Sequence, residues 1–264
     1  MEKTNFDFGM KQDNNKQLDN DNKDQGLILG KRIAAAIRGN TFKSYIIIGD
    51  RDIGKSTYAL LALHEAFLRL NYRAGFDDIE REEEHQDSTA WWMALSCIKF
   101  QIPEITKYLK EGTELYKATA TKKPAICWDD IRRHGSGLLY FTNKELYSEI
   151  SGLLDTIKIP INVFLGTSPS MQGVMQVLKN YDGYQINIGY SKLGFRYRKS
   201  KCYLWKTSPM GQRSLYPKFN DTFNCWLPTK VWRKYEKQRI FASEQSIDAV
   251  EQADRKKTRK TKET

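Results

Sequence analysis

Residues 49–56 have the residue types and the spacing of a loop that binds phosphate groups. They read GDRDIGKS and match the pattern G-x-x-x-x-G-K-[ST]. The glycines let backbone N–H groups turn towards phosphate oxygens, and the start of the following helix adds partial positive charge. We expect a nucleotide to contact this loop and the next residue, which together are Gly49, Asp50, Arg51, Asp52, Ile53, Gly54, Lys55, Ser56 and Thr57.

The last two residues of the pattern predict which ligand the loop takes. Lys55 can reach the β- and γ-phosphates of ATP, and the Ser56 hydroxyl can ligate Mg²⁺. Asp50 and Asp52 must point away from the phosphates, and Arg51 can offset part of their charge. The alternative is a glycine-rich turn with an incidental lysine.

Two carboxylates follow a second apolar segment, Ala125–Trp128. Asp129 is the expected metal-binding acid, and Asp130 is the expected general base that polarises an attacking water. Aspartate is one methylene shorter than the glutamate that many related ATPases have here, so we expect either slow hydrolysis or an Asp130 that acts through a different geometry. An ordinary turn containing two aspartates is the alternative.

A third apolar segment, Asn162–Leu165, is followed by Gly166 and then by two hydroxyl residues. Thr167 is the first choice for a residue that orients the attacking water and senses the γ-phosphate, and Ser168 is the second. The alternative is a helix start, for which Thr-Ser-Pro is an ordinary signal. Four arginines are possible arginine fingers, although each is better explained as a surface or anion-contacting residue: Arg132, Arg133, Arg196 and Arg198.

The elements that must position these residues alternate between apolar runs and helical periods. Strands are predicted at 42–48, 125–128 and 162–165, with antiparallel hairpins from Tyr184 onwards. Helices are predicted at 27–38, 55–70, 88–100, 103–117, 143–157 and 171–178, and from about Thr229. The acidic run 78–87 is expected to be a solvated face or loop.

Composition narrows the class of protein. With 40% hydrophobic residues the 264-residue chain can build a core, so wholesale disorder is excluded. No apolar run approaches a membrane span, and the N-terminus has no secretory h-region, so a cytoplasmic location is expected. The four cysteines and three histidines are scattered, which argues against a zinc site.

The net charge of +11 is confined to one end of the chain. Residues 1–190 have a net charge of −1, whereas residues 191–264 have 19 Lys+Arg against 7 Asp+Glu. This excess predicts binding to a polyanion, DNA, through the terminal helix, its tail and the hairpin cations Arg196, Arg198, Lys199 and Lys201. For the eleven aromatic residues of this region we favour a place in the hairpin core over base stacking.

Together the motifs resemble P-loop ATPases that have an additional strand between the loop strand and the second-acid strand, the group of AAA+ proteins and DNA-pumping motors. More narrowly, the chain is similar to single-domain ATPases of crenarchaeal viruses and conjugative plasmids. The residues behind this likeness are SYIIIGDRDIGKSTYALLALHEAF, ICWDDIRRHGSGLLYF, VFLGTSPS and VWRKYEKQR, at 44–67, 126–141, 163–170 and 231–239. The resemblance covers about residues 40–240 and implies either a replication-initiator-like or a DNA-handling role.

The sequence therefore predicts an α/β P-loop NTPase with a mainly parallel central sheet flanked by helices. Residues 1–26 are expected to be a disordered polar arm, 27–190 the ATPase core, 191–250 a basic β-hairpin and helix appendix, and 251–264 a basic tail. The expected function is Mg-ATP hydrolysis coupled to replication initiation, unwinding or translocation of DNA in a virus or plasmid. Assembly into a homo-oligomeric ring would explain the coupling. A non-motor ATP switch on DNA or a protein partner is the first alternative, and a small-molecule or nucleotide kinase is the second.

Overall fold

The computed structural model describes residues 26–70, 83–131, 144–172, 174, 178, 183–207 and 213–262. These residues form six helices and seven strands. The helices are α1 (Ile28–Arg38), α2 (Lys55–Arg69), α3 (Glu83–Cys97), α4 (Ile102–Thr119), α5 (Lys144–Thr156) and α6 (Thr229–Lys262). The strands are β1 (Lys43–Ile48), β2 (Ile98–Lys99), β3 (Lys123–Trp128), β4 (Ile161–Ser168), β5 (Tyr184–Tyr190), β6 (Tyr197–Thr207) and β7 (Arg213–Asn224).

All seven strands belong to one sheet, in the order β2-β3-β4-β1-β5-β6-β7. The pairs from β2 to β5 are parallel, and β5–β6 and β6–β7 are antiparallel. The strand β4 lies between β1 and β3, where the resemblance predicts an additional strand. Because β1, β3 and β4 run in the same direction, the residues after β1 and β3 and the last residues of β4 meet at one edge of the sheet.

Successive side chains of a strand point to opposite faces of the sheet, so the strands contribute to two separate hydrophobic cores. On one face Tyr45 and Ile47 of β1 pack in a cluster with α1, α2, α3 and the first part of α6. On the other face Ile46 of β1 and Phe164 of β4 pack with α4 and α5. Strands that are buried on both sides read as continuous apolar runs, which is why the central strands could be recognised from sequence.

The predicted fold class is confirmed, and most element boundaries agree within about two residues. One helix prediction is wrong at both ends: the helix expected at 88–100 begins at Glu83, inside the acidic run, and ends at Cys97. Its last predicted residues instead form β2, which pairs with Cys127 and Trp128. The helix-start interpretation of Thr167 and Ser168 is also wrong, because both belong to β4 and residues 169–172 after them are not helical.

Several expectations fall outside the described residues. These are the polar arm apart from Gly26, most of the helix predicted at 171–178, and the arginines Arg132 and Arg133. Within the described residues, no helix is both long enough and apolar enough to cross a bilayer.

Candidate nucleotide-binding site

The predicted phosphate loop joins the end of β1 to the start of α2, at the edge where the parallel strands end. Gly54 has φ +99, which favours glycine, and a Cβ there would lie 2.3 Å from Cys225 Sγ. At Gly49 a Cβ would lie 2.9 Å from the carbonyl oxygen of Ile188 in β5. Both glycines of the pattern are therefore required by close packing against the C-terminal half of the chain.

Lys55 is folded back onto its own loop. Its Nζ donates hydrogen bonds to the carbonyl oxygens of Gly49 (2.9 Å) and Asp50 (2.5 Å). Burial lowers the pKa of Lys55, although the carboxylates of Asp129, Asp130, Asp52 and Asp50 act in the opposite direction. The ammonium group thus sits in a partly desolvated, carboxylate-rich setting, where a phosphate would be a strong additional partner.

Asp129 lies at the centre of the site and is 5% exposed. Its Oδ1 accepts hydrogen bonds from Ser56 Oγ (2.7 Å) and Thr167 Oγ1 (2.6 Å). Its Oδ2 accepts a hydrogen bond from the hydroxyl of Tyr235 in α6 (2.6 Å). Three distant segments predicted to act together, 55–56, 129–130 and 167, are therefore brought into direct contact.

Asp130 is held through its backbone. Its N–H donates to Thr167 Oγ1 (2.8 Å), and its own φ of +53 lies in the left-handed region. Thr167 consequently bridges the two acids, since it accepts from Asp130 and donates to Asp129. The Asp130 side chain is exposed, so it remains available for a water or ligand.

The remaining residues of the predicted loop differ in how far their side chains are exposed to solvent. Asp50, Arg51 and Asp52 are exposed, whereas Ile53 is buried and anchors the loop in the core. Thr57 lies half-buried in the first turn of α2.

Arg198 of β6 braces this loop, a role that the sequence did not indicate. Its Nε donates to the carbonyl oxygen of Ile53 (3.0 Å), and its guanidinium lies 4.6 Å from the ring centroid of Tyr190. Its Nη1 also donates to the carbonyl oxygens of Phe195 and Tyr197. Of these donors only Nε contacts the phosphate loop, and Arg198 is half-buried, so its expected role as a surface or anion-contacting residue stays a prediction.

Tyr235 and Cys225 are the other residues of the site that sequence reasoning missed. Both come from the C-terminal basic region; Tyr235 contacts Asp129, and Cys225 lies against Gly54 of the predicted phosphate loop. Burial, together with the charge of Asp129, raises the pKa of Tyr235, so its phenol stays protonated and donates. The sequence predicts only an apolar helix face that contains Val231, Trp232 and Tyr235. The spacing of residues does not indicate that the Tyr235 hydroxyl contacts Asp129.

The donor set of the site fits Mg²⁺. Within the described part of the chain, no group of three or more His, Cys, Asp or Glu side chains could hold a metal ion. Magnesium does not require such a cage, because it takes one or two protein oxygens together with phosphates and water. The adjoining hydroxyl of Ser56 and carboxylate of Asp129 supply oxygens of that kind.

Comparison with known proteins finds relatives at low identity. No protein-family model matches the chain. Protein B-251 of Sulfolobus spindle-shape virus 1 is 23% identical over 237 residues, which cover 86% of this chain and 85% of the relative.

Solved structures also match the chain at low identity, among them those of three proteins. The N-terminal domain of zonular occludens toxin from Neisseria meningitidis matches 73% of this chain and 98% of its own, with 14% identity and a TM-score of 0.38. A KaiC-like protein from Pyrococcus horikoshii OT3 matches 66% and 90%, with 14% identity and a TM-score of 0.29. ATPases 2 and 3 of EccC from Thermomonospora curvata match 68% and 37%, with 14% identity and a TM-score of 0.31.

The chain has a P-loop NTPase fold. The strand that leads into the phosphate loop is central in a mainly parallel sheet, and the loop opens a helix that packs on that sheet. The acid strand lies two positions away, beyond β4.

Proposed function

We propose that this protein binds and hydrolyses Mg-ATP and that hydrolysis serves work on DNA. One observation supports the nucleotide chemistry above all others. Ser56, Asp129 and Thr167 are linked by hydrogen bonds of 2.6–2.7 Å at the edge of the sheet where the phosphate loop lies. A chance glycine-rich turn would not place a loop hydroxyl on a buried carboxylate from another strand.

Each residue then has a defined task. The N–H groups of the loop and Lys55 bind the phosphates, for which Lys55 exchanges its carbonyl partners of the loop for phosphate oxygens. Ser56 and Asp129 would hold Mg²⁺, which neutralises charge on the phosphates when it is bound. Asp130 accepts the proton of the attacking water, and Thr167 positions Asp130 through its backbone N–H.

The proposed DNA contact uses the basic C-terminal region. Arg196 and Lys201 are exposed, and Lys201 pairs with Asn187 and Asn220 on one polar face of β5, β6 and β7. In α6, all five basic residues between 229 and 245 are exposed: Lys230, Arg233, Lys234, Lys237 and Arg239. Exposed cations on the strands and the helix can neutralise phosphates without being used by the nucleotide site.

Aromatic residues add to this surface more than the sequence suggested. Of the eleven in this region, six are exposed, which contradicts the favoured place in the hairpin core for them: Phe195, Tyr197, Tyr216, Trp226, Trp232 and Phe241. Exposed rings beside cations can stack on unpaired bases, so single-stranded DNA is the first form to test.

The proposed setting is a virus or a conjugative plasmid. The relative from Sulfolobus spindle-shape virus 1, which aligns over most of both chains, supports it. Work on DNA would be coupled most directly if several copies formed a ring, with a neighbour supplying an arginine finger such as Arg196.

A non-motor ATP switch is a second candidate, and one observation favours it. Arg198 and Tyr235 tie the phosphate loop and Asp129 to the basic region, so nucleotide binding alone could alter the DNA surface. Asp130, which is shorter than the usual glutamate, is also compatible with slow turnover.

Steady-state ATP hydrolysis measured with single-stranded, double-stranded and no DNA separates these functions. The motor predicts hydrolysis that DNA stimulates and that is lost in Lys55→Ala and Asp130→Ala. ATP binding without turnover would support the switch instead. ADP formation only when a small phosphoryl acceptor is added would overturn both and indicate a kinase.

A further inference from the structure

The buried hydroxyl of Tyr235 connects the metal-binding acid with the basic helix α6. Tyr235 is 2% exposed, and its ring packs near Phe100 and Trp232, with ring centroids 5.8 and 5.7 Å apart. A second hydrogen bond fixes the same helix further along, because Gln101 Nε2 donates to the carbonyl oxygen of Ala242 (2.8 Å). The first four turns of α6 are therefore docked on the segment that follows β2.

That segment belongs to the acid site. The N–H of Asp129 donates to the carbonyl oxygen of Lys99 in β2 (2.9 Å), and Phe100 and Gln101 follow immediately. The helix thus contacts the acid directly through Tyr235 and indirectly through its neighbouring strand. The opposite side of the helix presents Arg233, Lys234 and Lys237 to solvent.

The lone pairs of Asp129 are nearly all in use. Each carboxylate oxygen can accept about two hydrogen bonds. Oδ1 accepts from Ser56 and Thr167, and Oδ2 accepts from Tyr235. One acceptor position on Oδ2 stays open, so metal-bound water that needs more than this one position competes with the phenol. Charge that the metal neutralises on the carboxylate weakens the bond from the phenol further.

We propose that Tyr235 is a positioning residue that docks α6 on Asp129, and that Mg-nucleotide releases this contact when it binds. The inference rests on the proposed nucleotide site and adds the route by which that site controls the basic helix. Because such a linkage is reciprocal, a ligand held by the released helix would also raise the affinity for Mg-nucleotide.

Hydrogen–deuterium exchange of the full chain tests this link. In the wild type, Mg²⁺ with a non-hydrolysable ATP analogue should speed amide exchange in residues 229–245 by about five-fold or more, the lower end of typical coupling factors. Amides of β4 should exchange no faster. The analogue with EDTA should leave α6 docked, which tests the metal requirement without any variant. Equal exchange of α6 in all three states, at saturating analogue, would overturn the proposal.

Tyr235→Phe removes the hydroxyl and keeps the ring. Exchange in 229–245 should be fast without ligand and should change little when Mg-nucleotide is added. The control is Tyr58→Phe, which removes a hydrogen bond of the same length, 2.6 Å, to another buried carboxylate, Asp221, together with the bond that its hydroxyl accepts from Ser200 (3.0 Å). The control should keep the wild-type response; a Tyr235→Phe protein that also keeps it would contradict the proposal.

Calorimetry on the same samples shows whether the proposed nucleotide binding fails or only the proposed link between the nucleotide site and α6. If the wild type binds no nucleotide, the proposed function fails and the link fails with it. If the wild type binds Mg-nucleotide and α6 does not respond, only the link is refuted.

Discussion

Asp129 is the residue on which the site depends, because three donors from three different elements converge on its carboxylate. Two of them, Ser56 and Thr167, come from segments whose motifs could be recognised in sequence. Thr167 also accepts from the N–H of Asp130 and so fixes the relation between the two acids. This double role makes Thr167 the sharpest single position at which to perturb hydrolysis.

Replacing Thr167 by Val should reduce the rate of ATP hydrolysis on the order of 10²-fold, because Asp130 loses its backbone anchor and a small misplacement of a catalytic group has that effect. ATP affinity should change far less, since Lys55 and the loop are intact. Turnover and equilibrium binding measured on the same preparation check this.

Ser168→Ala is the matched control for that variant. Ser168 neighbours Thr167 in β4, is equally buried, and bonds only the carbonyl oxygen of Ser170 among the contacts described for it. It should retain turnover. A similar loss in both variants would show that the effect is one of packing at the end of β4.

Cys225 should be the thiol that reports nucleotide binding. Cys97, Cys127 and Cys202 are buried, and burial raises their pKa values, to about 11 for Cys97 and about 12 for Cys202, which suppresses the reactive thiolate. Cys225 is half-buried and lies against Gly54. Alkylation followed by peptide mass spectrometry should modify Cys225 first, and Mg-ATP should slow it. Modification that is unaffected by ATP would contradict a nucleotide at this loop.

The residues of the site could be predicted only where local sequence specifies them. The loop, the acid pair and Thr167 each lie at the end of an apolar strand, a signal that is local and strong. Tyr235, Arg198 and Cys225 reach the site through tertiary contacts spanning 106, 145 and 171 residues of sequence, respectively. The pattern of residues in a single sequence does not predict such long-range contacts.

At the scale of elements, the carboxylate of Asp221 connects the β6–β7 hairpin to helix α1. Asp221 of β7 accepts hydrogen bonds from the N–H groups of Ile28 (2.8 Å) and Leu29 (3.2 Å) at the start of α1. The residue before α1, Leu27, offers no side-chain cap. A capping group that the helix's own sequence lacks is therefore supplied from almost 200 residues away, which stabilises α1 against β7.

The Asp221 carboxyl group at the start of α1 should make the stability of the protein depend on pH, which the amide of an Asp221→Asn variant would not. Burial raises the pKa of Asp221 above 3.8, so the folded state holds its proton more tightly than the unfolded state does. The resulting contribution is fully present below the unfolded pKa and is lost as pH rises through the folded pKa. Relative to Asp221→Asn, the wild type should thus lose stability over the pH window that begins at about 4 and ends above the folded pKa of Asp221.

Chemical unfolding of the wild type and Asp221→Asn at several pH values within that window measures the difference. The comparison cancels the titration of the groups common to both chains. A difference in unfolding free energy that is constant with pH would show that Asp221 titrates alike in the folded and unfolded states.

Element prediction failed where tertiary pairing decides the structure. The strand β2 has only two residues, Ile98 and Lys99, and exists because they pair with Cys127 and Trp128. No Gly or Pro separates β2 from α3, so the helical periodicity of the sequence extended the predicted helix through the residues of β2. The long apolar strands were predictable because burial on both faces leaves a continuous hydrophobic run.

For the whole molecule, the proposed function assigns the two differently charged parts of the chain to two polyanions, ATP and DNA. The sheet extends from the nucleotide loop into β6 and β7, so the basic region is joined to the nucleotide site by strands and by α6. The exposed cations of this region are the proposed DNA contacts, whereas Lys55 bonds its own loop.

Deleting residues 251–264, which contain six basic residues between Arg255 and Lys262, should weaken DNA binding and flatten its salt dependence. Each lost phosphate contact should reduce the slope of log K against log salt by about 0.9 for duplex DNA. Fluorescence anisotropy at several salt concentrations measures this slope.

Deleting residues 1–14 provides a control of the same length with nearly balanced charge. It should leave the slope unchanged. An unchanged slope after deletion of 251–264 would exclude the end of α6 from the DNA contact.

The most direct measurement of the nucleotide site is calorimetric titration of ATP into the full chain with Mg²⁺ and with EDTA. We expect binding by the wild type that Mg²⁺ strengthens, and an affinity at least about ten-fold weaker in Lys55→Ala, because a charge-assisted contact with phosphate is lost. Lys43→Ala, which removes an exposed lysine at the start of β1, should bind as the wild type does. No heat of binding in the wild type, or equal affinity in Lys55→Ala, would contradict a phosphate-binding loop at residues 49–56.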